Sequence, residues 1–371
     1  MPHAVYLDHN ATSPLRPEAF AAMTEAMRDV GNASSVHGFG RRARKRVEDA
    51  RGAVARLVGA KTQEVVFTSG GTEANNWALI GASPAKLLVS AVEHDSVLAV
   101  PGGEPIAVEG SGRLDLADLE RKLRGAPAGT LVSVMLANNE TGAIQLIDTV
   151  VELARQAGAL VHCDAVQGIG KLPVDFAGLG VDMLSISAHK LGGPQGLGAL
   201  VLREGLGSAP LLRGGGQEGR RRAGTENVAA IAGFGAAAEA AAEGLAAVAG
   251  LAEQRDRFEA ALLSAVPKAR IFAAESPRLA NTSCVAMPGV GAETQVMAFD
   301  LAGVAVSSGS ACSSGKVAPS HVLAAMGVPP DLAASALRVS LGWNSAPDAL
   351  DRCLEVWLDL HRRHRERRRI A

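Results

Sequence analysis

The chain is poor in cysteine: Cys163, Cys284, Cys312 and Cys353 are all it has in 371 residues, with no Cys-x-x-Cys pair and no metal-like clustering. That argues against a disulfide scaffold or a metal site, and a reducing, cytoplasmic compartment is expected. Net charge is nearly absent, at -1, so there is no global field to favour nucleic acid or a membrane surface as a partner. No basic region followed by an apolar stretch opens "MPHAVYLDHNATSP", so no signal peptide is expected. The longest apolar run, "IAGFGAAAEAAAEGLAAVAG", is rich in Ala and Gly and carries two glutamates. It predicts a helix with a small-residue face rather than a membrane span. Internal repeats are lacking. Lysine is scarce too, at eight of the 37 basic residues, which draws attention to each one. The basic tail "HRRHRERRRIA" reads as a solvated helix end, with a patch for an anionic partner as the alternative.

What is present describes a globular protein with room for more than one domain: 47% hydrophobic and 20% charged residues over a long chain. From about residue 52 to 202, short apolar runs alternate with longer amphipathic ones. That pattern predicts an α/β architecture, a mainly parallel sheet covered by helices. "EVVFTS", "KLLVSAVE", "TLVSVMLAN", "ALVHCDAV" and "DMLSISA" are the strand candidates. Between them lie the helix candidates "TEANNWALIGA", "DLADLERKLRG" and "IDTVVELARQAG", the last with Gly158 as its stop. A long helical passage then leads into shorter strands and loops. We therefore expect a large domain over 14–246 and a smaller α+β domain from 247–371, joined by the extended residues 1–13.

Each strand candidate ends in polar residues. "VVFTS" runs into Gly70, Gly71, Thr72 and Glu73; "LLVSAVE" into His94; "LVSVMLA" into Asn138 and Asn139; "LVHC" into Asp164 and Gln167; "MLSISA" into His189 and Lys190. In open parallel sheets ligands bind beyond the carboxyl ends of the strands, so these groups are expected to converge. Taken singly, each has an ordinary reading. Thr72 could be a helix N-cap, Asp164 a turn former, His94 a core histidine and Lys190 a solvated cation. Taken together, a phosphate cup, an acid for a ring nitrogen, a flat side chain and a strand-end lysine suit pyridoxal phosphate.

These motifs, with "YLDHNATSP", "ANNETGAIQ", "SAHKLGGPQGLGAL", "RRAGTENVAAIAG", "SSGSACSSG" and "ALRVSLG" in the same order, span almost the whole chain. The chain resembles the cysteine desulfurases, class V relatives among the fold type I pyridoxal-phosphate enzymes, and within them the NifS-like branch. The resemblance implies a seven-stranded, mainly parallel sheet in the large domain, with the cysteine loop on the small one. It also implies roles. Lys190 carries the cofactor, Asp164 pairs with its pyridine nitrogen and Gln167 with its phenolic oxygen. His94 stacks on the ring and helps move protons. Gly71, Thr72, Ser187 and His189 hold the phosphate, and Thr225 reaches the phosphate of a neighbouring subunit in a homodimer. Arg338 clamps the substrate carboxylate with Asn138 beside it, although an interior salt bridge is the other reading of that arginine.

The implied reaction converts L-cysteine to L-alanine and leaves the sulfur on Cys312 as a persulfide. From there it passes to an acceptor protein, such as a scaffold for iron–sulfur clusters, nitrogenase clusters among them. A selenocysteine lyase or aminotransferase is the enzymatic alternative, separated by its lack of need for Cys312. A silent sulfur-relay scaffold is the non-enzymatic one. Two departures from the family pattern are Gln195, where lysine is common, and Cys163 beside the pyridine-pairing acid, read as a small buried strand residue. The chain also ends soon after its last helical pattern, which puts in doubt the docking mode of relatives with longer C-termini. Ser and Gly around Cys312 predict a mobile loop, able to reach both a buried cofactor and an external acceptor.

Overall fold

The computed structural model describes residues 4–308 and 320–370; Cys312 and the loop expectation attached to it lie outside the described residues. Seven strands form the main sheet in the order Val65–Thr68, Gly198–Leu202, Met183–Ser187, Leu160–Asp164, Thr130–Met135, Lys86–Ser90, Gly103–Ile106. Gly198–Leu202 pairs antiparallel with both of its neighbours, and every other pairing is parallel. The strand beyond it, Val65–Thr68, is therefore turned back to the common direction. All five strands expected from sequence run the same way, and their carboxyl ends share one edge. Their unbroken apolar character follows from position. Thr130–Met135 is buried at every residue, as a parallel strand covered on both faces must be.

Gly103–Ile106 and Gly198–Leu202 carry weaker signals. The first holds a proline, tolerated because the strand lies at the sheet edge. Gly198 has no side chain because a Cβ there would sit 2.6 Å from the Ile186 carbonyl oxygen. Helix Ile147–Gln156 stops where expected, with Gly158 in the left-handed region at φ +67°.

The Ala- and Gly-rich run forms the helix Val228–Glu243, which packs on Pro17–Arg28 and Gly38–Leu57. Its glycines allow this. A Cβ on Gly235 would lie 2.7 Å from Ala50 Cα, and one on Gly233 2.5 Å from Met23 Cγ. Among the described residues no single helix is long and apolar enough to cross a membrane; one pair, bent by 61° at Gly244, passes on length and composition alone.

Beyond residue 247, a four-stranded antiparallel sheet runs Ser307–Ser308, Ala336–Ser340, Thr282–Ala286, Arg270–Ile271. It shares a separate core with the helix Ala349–Ile370, built around Phe258, Phe299, Leu337 and Trp357. The N-terminal segment belongs here: Val5–Tyr6 pairs in parallel with Val304–Ala305, and Leu7 lies in the same core.

Candidate active site

At the carboxyl edge of the main sheet lies a cavity of about 280 Å³. Asp164, the last residue of its strand, lines it. Its Oδ2 accepts from Asn75 Nδ2 at 2.7 Å and its Oδ1 from the Val166 amide at 2.9 Å. Both oxygens are thus held in place with the carboxylate facing the cavity. Cys163, next to it, is fully buried, and enclosure with Asp164 and Glu93 nearby pushes its thiol well up the scale. It behaves as the small strand residue expected.

His94 forms part of the wall and caps the short helix Asp95–Leu98. Its Nδ1 accepts from the Ser96 amide at 3.1 Å, so the neutral ring carries its proton on Nε2. One end of the cavity is the start of helix Gly71–Gly81, flanked by Ser187 and His189. The N-cap is Gly70, without a side-chain cap, so Thr72 sits inside the first turn and is not the cap residue. The first-turn amides are left to bind whatever occupies the cavity. A Cβ on Gly71 would come within 2.9 Å of Val166 Cγ2, so the helix start approaches the sheet only because it is glycine. Glu73 fixes this turn from outside, accepting from the Ser69 amide and from a two-pronged Arg222. Burial, with Lys190 nearby, lowers His189 to about 4, so it is neutral at ordinary pH.

Lys190 follows its strand by one short turn, and its Nζ donates to the carbonyls of Asn10 and Ala11 at 2.7 Å each. Gln167 donates from Nε2 to the same Asn10 carbonyl at 2.9 Å. Arg338 reaches the cavity from the smaller sheet. It is paired to Asp8 at 2.7 Å and donates to the Asn139 carbonyl at 3.1 Å, while its buried Nε has no partner among the described residues. The arginine is thus the interior salt bridge that was one of its two readings, and it also lines the cavity.

Two expected residues stand apart. Asn138 does not line the cavity, contrary to its reading as a substrate contact. Its Oδ1 accepts from Glu140 and Thr141, and its Nδ2 donates to the Val92 carbonyl, so its amide is spent on its own turn and on the end of a neighbouring strand's loop. Asn139 lines the cavity instead. Thr225 is exposed and away from the cavity of its own chain. Sequence reasoning missed Asn10, Asn75 and Asp8. Their signal was placement within "YLDHNATSP" and "TEANN", motifs noted only as wholes. No group of three or more His, Cys, Asp or Glu among the described residues could hold a metal ion.

The donor set fits pyridoxal phosphate. Helix amides with Ser187 and His189 suit a phosphate, Asp164 suits a pyridine nitrogen, Lys190 suits an aldehyde, and the Arg338 guanidinium suits a carboxylate. The Aminotransferase class-V sequence model matches residues 5–353. A cysteine desulfurase of Cereibacter sphaeroides is 47% identical over 95% of this chain and 94% of its own. The cysteine desulfurase IscS of Dictyoglomus turgidum is 41% identical over 96% and 94%. The crystal structure of a NifS-like protein from Rickettsia africae superposes with a TM-score of 0.90 at 33% identity, covering 97% of this chain and 99% of that one.

Proposed function

The chain belongs to the class-V aminotransferase family, and from that premise we propose that it is a pyridoxal-phosphate-dependent cysteine desulfurase. The carrying observation is that Lys190, Asp164 and Arg338, from three separate parts of the chain, line one cavity. When bound, pyridoxal phosphate supplies an electron-accepting ring that acidifies the substrate Cα–H and makes its sulfur electrophilic. Lys190 would hold the cofactor's aldehyde, and its Nζ would be the base for the substrate Cα proton. Asp164, clamped by Asn75 and Val166, stays beside the ring nitrogen. His94, in the cavity wall, would lie against the ring, and the first turn of Gly71–Gly81 would hold the phosphate. Arg338, oriented by Asp8, takes the substrate carboxylate.

The sulfur goes to Cys312, a role that rests on the likeness of "SSGSACSSG" to the family motif. The substrate C–S bond breaks, a C–H bond forms at the same carbon and an S–S bond forms at Cys312. Cysteine plus a thiol gives alanine plus a persulfide, with no outside oxidant or reductant. An acceptor thiol then removes the sulfur, and iron–sulfur cluster assembly is the use we favour.

We take the protein as a homodimer with a large domain over 14–246 and a small one over 1–13 and 247–371. The two largest cores support that division, one lying on each side of it, while a smaller one joins Val92 and Ala143 to Phe272 and Cys284 across it. The pairing of subunits is supported by exposed Phe20, Met27, Val30, Val36 and Phe39, clustered in sequence, and by Thr225 standing free to reach a neighbour. Cys163, Cys284 and Cys353 are buried free thiols, which supports a reducing cytoplasm.

The test is alanine and sulfide release from L-cysteine in the presence of a reducing thiol, repeated with selenocysteine. Wild type should release both products. Cys312→Ser should bind cofactor and cysteine yet release no sulfide; wild-type sulfide release by this variant would sink the proposed sulfur route. Lys190→Ala should lose the visible band of the bound cofactor.

A further inference from the structure

The turn after strand Leu160–Asp164 brings Gln167 and Lys171, four residues apart, onto one face. Lys171 is buried, and its Nζ donates to Gln167 Oε1 at 2.7 Å and to Asn10 Oδ1 at 2.9 Å. The other end of the Gln167 amide donates from Nε2 to the Asn10 carbonyl, the same oxygen that accepts from Lys190. No carboxylate hydrogen-bonds Lys171 among the described residues. The charged or titratable groups near it are Lys190, Arg338 and His9. Burial, aided by Lys190 and Arg338, draws its amine well below the usual lysine range. An amine keeps at least two hydrogens in either protonation state, so both donations persist.

A buried lysine without an ion pair is costly, and an apolar residue would fill the space more cheaply. The return lies in what Lys171 does to Gln167. A carboxamide can present either its oxygen or its NH2 to a site, and a donor behind the oxygen removes that choice. We propose that Lys171 is a positioning residue: its amine fixes the Gln167 carboxamide with Oε1 turned inward, so that Nε2 offers the cavity a donor for the cofactor's phenolic oxygen. This rests on reading the cavity as the pyridoxal-phosphate site.

The readout is the pH midpoint at which the visible band of the bound cofactor changes, measured without substrate. Withdrawing a donor from the phenolic oxygen raises that midpoint by about one pH unit. Gln167→Met should show this rise; no change there overturns the placement of the cofactor beside Gln167, and this inference with it. Given that rise, Lys171→Met should raise the midpoint by at least about half a unit. The double variant should match Gln167→Met alone, because Lys171 acts through Gln167. An unmoved midpoint in Lys171→Met, or additive shifts in the double variant, overturns the inference. Should Lys171→Met fail to fold, Lys171→Leu withdraws the same donor with a shorter side chain. Its midpoint should also rise by at least about half a unit, and an unmoved value overturns the inference.

Discussion

Single residues in this protein are held by partners that come from far along the chain, and Glu140 illustrates what that does to their chemistry. It is almost fully enclosed and accepts from Ser320 Oγ at 2.5 Å; burial, helped by Asp95, raises it to about 7 against the pull of Ser320 and Arg338. In the unfolded chain it titrates near the ordinary carboxyl value of 4.5. A raised acid binds its proton more tightly when folded. Its contribution to stability is therefore complete below 4.5 and is lost as pH climbs through about 7. The loss is about 3 kcal/mol. Glu140→Gln keeps an acceptor for Ser320 and removes the titration. The variant should melt level with wild type near pH 4.5 and several degrees above it at pH 8, in paired thermal scans of the holoenzyme. Parallel melting curves across that range would exclude this account. Glu140 passed unnoticed in the sequence because "ANNETG" shows a carboxylate in a turn, while its enclosure depends on Ser320, 180 residues later.

At the scale of elements, alanine and glycine decide how closely helices pack. In helix Val228–Glu243, replacing Gly235 by alanine gains about 0.5–1 kcal/mol in helix propensity. The new Cβ would lie 2.7 Å from Ala50 Cα, which is backbone and cannot swing away. Overpacking costs about 1–3 kcal/mol, so sterics win and Gly235→Ala should lower the melting temperature. Gly207→Ala, with nothing within 4 Å of its Cβ, serves as the control and should melt as wild type does. Five strands and three helices of the main domain were legible because burial on both sheet faces leaves long apolar runs, and amphipathic helices leave periodic ones. Gly103–Ile106 was not, since an edge strand has neither continuous burial nor alternation.

For the whole molecule, the cavity is assembled from pieces that never meet in sequence. Asn10 and Ala11 reach it from a segment bridged to the smaller sheet at Asp8 and Ser340, Arg338 from that sheet, and the rest from the ends of the main sheet. The exposed apolar cluster on residues 20–39 carries the proposed dimer. Phe20→Asp with Val36→Asp should give a monomer by sedimentation, with cofactor affinity reduced because Thr225 no longer reaches a neighbour. A double variant that stays dimeric and fully loaded would count against that surface. The sequence by itself determined which polar residues follow each strand of the main sheet, because residue type and local periodicity are properties of the chain. Tertiary structure alone decided that Asn139 rather than Asn138 faces the cavity, that Arg338 is aimed by Asp8, and that Lys171 stands behind Gln167. Those outcomes depend on which hydrogen-bond partners a side chain finds across more than a hundred residues of chain, or on which side of a turn it emerges, and local pattern does not encode either.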